Sequence, residues 1–152
     1  MSDQYTIRAA GAGDKAAWLA LWEGYQTFYE IDLDDEVNEV TWGRIVDQNT
    51  PEMGALLAET TDGRVTGLLN YVIHNNTWSA TPVCYLEDLF VDAAARGGGA
   101  ARGLIEHLAQ MGRDAGWDRI YWHTARDNAP AQILYNKVAE RTGWVRYDLD
   151  LD

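Results

Sequence analysis

The chain has 152 residues, with 12 Lys or Arg against 24 Asp or Glu and a formal net charge of −12. That length suits one domain with a real core, and the acidic balance argues against a nucleic-acid binder, which needs a basic face for phosphates. Cys84 is the single cysteine, so an internal disulfide and a multi-cysteine metal site are both excluded.

Tyr5 to Ala9 alternates as a short strand. Asp14 is placed to cap a helix in which Trp18, Leu21, Trp22, Tyr25, Phe28 and Tyr29 recur at helical spacing. A second helix is expected over Glu36 to Asp47, stopped before Pro51. Gly54 to Thr60 and Val65 to Asn75 flank the turn Thr61-Asp62-Gly63-Arg64 and predict a hairpin. Pro82 to Asp92 is the next strand, and Ala100 to Ala115 is a helix with an apolar stripe of Leu104, Ile105, Leu108, Met111 and Ala115. Asp118 to Ala125 reads as strand, and Asn128 to Thr142 as a helix closed by Gly143. Trp144 to Leu149 reads as a last strand. The order predicts an α+β fold, a mostly antiparallel mixed sheet with one βαβ crossover between strands 4 and 5. No repeat or linker divides it, so residues 1–152 read as a single domain. No apolar run approaches the roughly 20 residues that span a bilayer, and the N-terminus lacks a basic, apolar signal pattern. No membrane role and a cytoplasmic location are therefore the default expectations.

From Ala16 to Gly43 there is no Lys or Arg, while Glu23, Glu30, Asp32, Asp34, Asp35, Glu36 and Glu39 all fall there. Such a run is either a solvated surface or an electrostatic funnel for a cationic substrate.

The chemistry concentrates between Tyr85 and Gly103. Gly97, Gly98 and Gly99 stand between a strand and a helix, where backbone N–H groups and the helix dipole can receive a pyrophosphate. Arg96 and Arg102 flank them as charge-assisted partners. A phosphate loop of the Gly-Lys-Ser/Thr kind is absent, and the run falls too late for a dinucleotide fingerprint. On the preceding strand, alternation sets Val83, Tyr85, Glu87, Leu89 and Val91 on one side. A carboxylate in that row is costly to bury unless paired or used. Glu87 is therefore read as a general base or an anchor for a substrate ammonium, and Asp88 as half of a salt bridge with an Arg. Tyr135, taken alone, reads as a core tyrosine with its hydroxyl at the edge. His74, His107 and His123 share no metal-ligand spacing, and no metal is expected.

Together these residues resemble the GNAT family of N-acetyltransferases. The family's Arg/Gln-x-x-Gly-x-Gly/Ala signature is matched by Arg96-Gly-Gly-Gly99-Ala-Ala101. The second half is matched by Asn128, Ala131 and Tyr135 in Asn-Ala-Pro-Ala-Gln-Ile-Leu-Tyr and by Gly143-Trp144. The resemblance covers about Gly54 to Tyr147. It implies the GNAT fold with splayed parallel strands 4 and 5, acetyl-CoA as co-substrate, and transfer to an amine by direct attack. It also implies residue roles. The backbone of Leu89, Phe90 and Val91 would pair with the pantetheine arm, and the amides of Gly97, Gly98, Gly99, Ala100, Ala101 and Arg102, with Arg96, would hold the pyrophosphate. Asn128 and Ala131 would line the pantetheine channel, Tyr135 would protonate the departing thiolate, and a backbone N–H near Leu89 would polarise the thioester carbonyl.

Tyr-Leu-Glu-Asp-Leu-Phe-Val and Tyr135-Asn-Lys137-Val138-Ala139 are closer still to the polyamine and thialysine acetyltransferase branch and its histone/polyamine relatives. That implies a small cationic amine acceptor (polyamine, thialysine or lysine-like) and a homodimer. Tyr25, Tyr29 and Glu30 are the expected pocket walls, beside Glu87. Two other readings of the same fold are acetylation of protein lysines or N-termini and a non-catalytic acyl-CoA sensor.

Overall fold

The computed structural model describes residues 5–151. One sheet carries five strands in the order β1 (Tyr5–Ala9), β2 (Met53–Thr60), β3 (Val65–His74), β4 (Val83–Val91) and β5 (Ile120–Tyr121). Neighbours are antiparallel from β1 to β4, and β4 and β5 are parallel. Helices α1 (Lys15–Phe28) and α2 (Asp35–Val46) follow β1, α3 (Ala100–Ala115) makes the crossover from β4 to β5, and α4 (Ala129–Val138) follows β5. The mixed α/β fold expected from the element order is the fold observed. No helix among the described residues is long and apolar enough to cross a membrane.

Alternation along β2 and β3 builds a core on each face of the sheet. Leu56, Ala58 and Leu69 pack with Leu104, Ile105 and Leu108 of α3, while Ala55, Leu57 and Leu68 pack with Trp18, Leu21, Trp22 and Trp42 of α1 and α2. Two buried indoles of the second core find carboxamide partners. The Trp22 indole donates to Asn38 Oδ1 at 2.8 Å and the Trp18 indole to Asn70 Oδ1 at 3.0 Å.

Strand β4 departs from the alternation expected of it. Asn70 faces Asp88 and Tyr71 faces Leu86, so Glu87 has no partner on β3 and forms a bulge. The bulge resets the faces: Cys84, Leu86, Leu89 and Val91 all join the α3 core, and Phe90 packs with the α1 core. Val83, Tyr85, Glu87, Leu89 and Val91 therefore do not share one side.

The C-terminal third is less regular than expected. Only Ile120 and Tyr121 of the segment Asp118 to Ala125 form ladder. Helix α4 ends at Val138, with Ala139 extended at φ −148 and ψ −179, so Gly143 does not close it. Trp144 to Leu149 runs without strand pairing and forms no part of the five-stranded sheet. At the other end, Asp14 occupies the N-cap position of α1 without capping it. Its carboxylate instead accepts the Gly11 N–H at 2.7 Å and both terminal nitrogens of Arg8 at 2.7 and 2.9 Å.

Candidate active site

The parallel ladder between β4 and β5 joins Cys84 to Ile120 and Tyr85 to Tyr121 and then stops. Beyond Tyr85, β4 continues to Val91 with no described strand on its β5 side, so the two strands part. Leu89, Phe90 and Val91 are paired with β3 on one side only, and their other side is a sheet edge, which an extended ligand can join as an added strand.

At the far end of this edge lies the glycine turn. A single 3-10 turn at Ala93–Ala95 leads to Gly97 at φ +87 and Gly99 at φ +90, conformations that suit glycine alone. Gly98 packs so closely that a Cβ there would stand 2.5 Å from the Tyr5 hydroxyl. Gly103 N–H closes the first turn of α3 onto Gly99 O at 2.9 Å, and the amides of Ala100, Ala101 and Arg102 point out of the helix start without intrahelical acceptors. Oriented donors with a positive helix end fit a pyrophosphate. The flanking arginines are engaged elsewhere: Arg102 pairs with Glu106 at 2.8 Å. Arg96 donates from Nε to Val91 O at 3.0 Å, with its guanidinium 5.2 Å from the Phe28 ring and 5.5 Å from the Phe90 ring. Arg96 thus straps the turn to the end of β4 and to α1.

A cleft of about 580 Å³ opens where β4 and β5 part, and Tyr25, Tyr29 and Glu87 line it together. Glu30 is not among the lining residues. It sits in the turn that ends α1, at φ +55, with Glu30 N–H bonded to Thr27 O and Ile31 N–H to Gln26 O. An aromatic line along α1 leads from the core to the cleft: Trp18 stacks on Trp22 at 5.7 Å, Trp22 on Tyr25 at 4.9 Å, and Tyr25 meets Tyr29 at 4.7 Å. The bulge is what turns Glu87 towards the cleft. Partial burial, then the charge of Asp88, pushes its carboxyl above the usual carboxylate range, and Arg146 pulls it partly back.

Asp88 forms no salt bridge among the described residues, contrary to the expectation of an Arg partner. No arginine reaches it, because it faces the α1 side of the sheet. Asn70 Nδ2 donates to it at 3.1 Å, and the Tyr25 hydroxyl nearby also favours its charged form. Burial raises its carboxyl, and Asn70 and Tyr25 oppose the rise.

Tyr135 packs against the α3 core, with its ring edge-on to Trp122 at 5.4 Å. Burial, aided by nearby Tyr29, pushes its phenol up to about 12, so it keeps its proton at neutral pH. Asn128 is the N-cap of α4, its Oδ1 accepting the Ala131 N–H at 3.4 Å. Residues that the sequence reading missed complete the cleft: Tyr85, His123 to Arg126, Trp144, Val145, Arg146 and Asp148. Thr124 Oγ1 is buried there without a partner. Only the position of Tyr85 beside Glu87 on β4 could have pointed to any of these. Among the described residues no group of His, Cys, Asp and Glu is placed to hold a metal ion.

The sequence profile of the acetyltransferase (GNAT) family matches residues 18–139. The chain belongs to the GNAT family. It is 35% identical over 147 residues to the D-amino-acid N-acetyltransferase HPA3 of Saccharomyces cerevisiae, which covers 97% of this chain and 91% of that protein. Among solved structures, a probable acetyltransferase superposes with a TM-score of 0.85 at 23% identity, over 97% of this chain and 98% of the other. A complex of AAC(6')-Iy with the bisubstrate analog CoA-S-monomethyl-acetylneamine gives 0.84 at 20%, over 97% and 99%. Membership in the GNAT family makes this chain an acetyl-CoA-dependent N-acetyltransferase, and the splayed edge and glycine turn fit acetyl-CoA.

Proposed function

We propose that the acceptor is a small molecule carrying both a primary amine and a carboxylate, with its ammonium drawn to Glu87 and its carboxylate to Arg126. The observation that carries this reading is the opposite charge within one cleft, Glu87 against Arg126 and Arg146. Arg146 is already paired with Asp148 at 2.8 Å, whereas Arg126 makes no ion pair among the described residues. The acidic run from Ala16 to Gly43 favours a cation, and a lysine-like acceptor meets both demands. A polyamine would set a second cation against the arginines with no anion to offer them. The activity named for the yeast relative, on D-amino acids, supports the same choice.

In this reading Glu87 takes a proton from the substrate ammonium, directly or through a water, and its raised pKa makes it the better acceptor near neutrality. Tyr25 and Tyr29 wall the acceptor. The amides of Gly97 to Arg102 hold the pyrophosphate, Leu89 to Val91 pair with the pantetheine arm, and Asn128 and Ala131 line its channel. Acetyl-CoA, when bound, supplies the acetyl group as a thioester. In this reading a backbone N–H near Leu89 polarises its carbonyl, and Tyr135 holds the proton for the thiolate.

The test is CoA release with D- and L-lysine, D- and L-alanine, thialysine, spermidine and a lysine peptide, for wild type, Tyr135→Phe and Arg126→Ala. Amino acids are expected to turn over and spermidine to lag. Tyr135→Phe should lower kcat by about 100-fold, and Arg126→Ala should raise KM for the amino acid about tenfold while sparing that for acetyl-CoA. Spermidine as the best acceptor, or turnover of the peptide alone, would sink the reading.

A further inference from the structure

Thr124 stands where β4 and β5 have parted. The residue lines the cleft, yet its Oγ1 is buried and finds no hydrogen-bond partner among the described residues. Buried hydroxyls are seldom left unpaired without a use. The chain that carries this one is firmly held. Asn128 N–H donates to Ala125 O at 3.0 Å, and Gln132 Nε2 donates to Ala125 O at 3.2 Å and to Arg126 O at 2.8 Å. The hydroxyl is therefore unpaired on a backbone that α4 fixes, not on a loose loop.

Register shows what lies across from it. The parallel ladder pairs Cys84 with Ile120 and Tyr85 with Tyr121. Counted onward, Trp122 comes level with Leu86. The bulge at Glu87 adds a residue without adding length, so His123 comes level with Asp88 and Thr124 with Leu89. The Leu89 N–H is turned to the same gap. Asp92 N–H donates to Thr66 O on the β3 side, and Val91 O, in the same trans peptide unit, faces away and accepts Arg96 Nε. Alternation along β4 then turns the Leu89 N–H away from β3 as well. One step about χ1 of Thr124 exchanges hydroxyl and methyl, which brings Oγ1 from its covered position to the gap.

We propose that Thr124 is a second donor to the thioester carbonyl: its Oγ1–H meets the carbonyl oxygen from the β5 side, opposite the Leu89 N–H. A carbonyl oxygen has two lone pairs and can accept from both, and donors held at the place where charge gathers stabilise it there. As the acceptor nitrogen bonds to the carbonyl carbon, the π pair moves onto oxygen between these two donors. It returns when the C–S bond breaks and sulfur takes the Tyr135 proton. Thr124 keeps its own proton throughout. The proposal rests on acetyl transfer beside Leu89, as read above, and is the same for every acceptor.

The carbonyl itself reports the contact. Isotope-edited infrared spectra are taken of acetyl-CoA labelled at the thioester carbonyl and bound without acceptor. The carbonyl stretch is expected at lower wavenumber in wild type and Thr124→Ser than in Thr124→Val. In Thr124→Val, kcat should fall about 100-fold, equally for amino acids and spermidine, while the Kd of acetyl-CoA changes less than about threefold. Its Tm should not drop, because the hydroxyl it loses has no partner in the fold. Should Thr124→Val fail to fold, Thr124→Ala carries the same measurements. A carbonyl stretch indifferent to position 124 would overturn the proposal. So would a loss of kcat confined to acceptors that bear a carboxylate, which would assign the hydroxyl to the acceptor beside Arg126. A hydroxyl-dependent stretch with spermidine as the best acceptor would refute the acceptor reading alone, and an indifferent stretch in an enzyme that turns over amino acids would refute the Thr124 donor alone.

Discussion

Asn70 donates to Asp88 over 3.1 Å, directly across the β3–β4 ladder, just before the bulge at Glu87. The same carboxamide accepts the Trp18 indole N–H at 3.0 Å. One side chain therefore ties α1 to both central strands and fixes the Asp88 carboxylate. Asn70→Ala would leave a buried indole N–H and a buried carboxylate each short of a partner. Urea unfolding of that variant should show a loss of about 2–4 kcal/mol, and a loss within measurement error would mean that Trp18 and Asp88 find other partners.

Glu87 supplies a pH-dependence with a definite sign. Its carboxyl is raised, mainly by partial burial and then by Asp88, and a base works only when deprotonated. Turnover should accordingly fall as pH drops through a value above the usual carboxylate range of about 4. In Glu87→Gln, kcat/KM should drop by about 100-fold and its acidic limb should flatten. A limb that persists unchanged in Glu87→Gln would assign the base to another group.

Two glycines close together in sequence should respond in opposite directions. Gly99, at φ +90 with open space around its missing Cβ, has only backbone conformation to lose. Gly99→Ala should cost about 1–2 kcal/mol and weaken acetyl-CoA binding in calorimetry. Gly103 lies inside α3, where a Cβ would touch Ile7 at an ordinary 3.6 Å. Gly103→Ala should therefore gain up to about 1 kcal/mol through helix propensity. Equal effects at both positions would contradict the left-handed start of α3.

The Arg8–Asp14 pair gives stability a low-pH boundary. Hydrogen bonding from the Arg8 guanidinium, with the Gly11 N–H, holds the Asp14 carboxyl down to about 2. The unfolded chain releases that proton only near pH 4. The contribution is therefore whole above pH 4 and is lost as pH falls through 2. With the guanidinium about a third exposed, at 34%, screening leaves about 1 kcal/mol. Melting curves of Asp14→Asn and wild type should differ at pH 6 and converge near pH 2.

Parts of the fold are legible in the sequence for particular reasons. The glycine turn and α3 carry their own local grammar, and α3 runs over the expected Ala100–Ala115. The bulge at Glu87 was hidden because Leu86, Leu89, Phe90 and Val91 are all apolar, and alternation has no contrast where both faces are buried. The salt bridge expected of Asp88 was wrong because the sequence shows which charges exist but not which face they share. The strand expected at Trp144 to Leu149 has the right pattern and forms no ladder, because pairing depends on what lies beside a segment and not on the segment alone. Arg126 and Thr124 reached the cleft through irregular chain after β5, which no periodicity describes.

The buried thiol bears on how such an enzyme can be watched. Cys84 has no exposed surface, and burial pushes its thiol up to about 12, leaving almost no thiolate at neutral pH. Each turnover liberates one small, accessible thiol, while the folded protein offers none. A thiol-reactive dye added to the native protein therefore reads product alone. Any slow additional colour, one equivalent per chain, reports the fraction that has come apart.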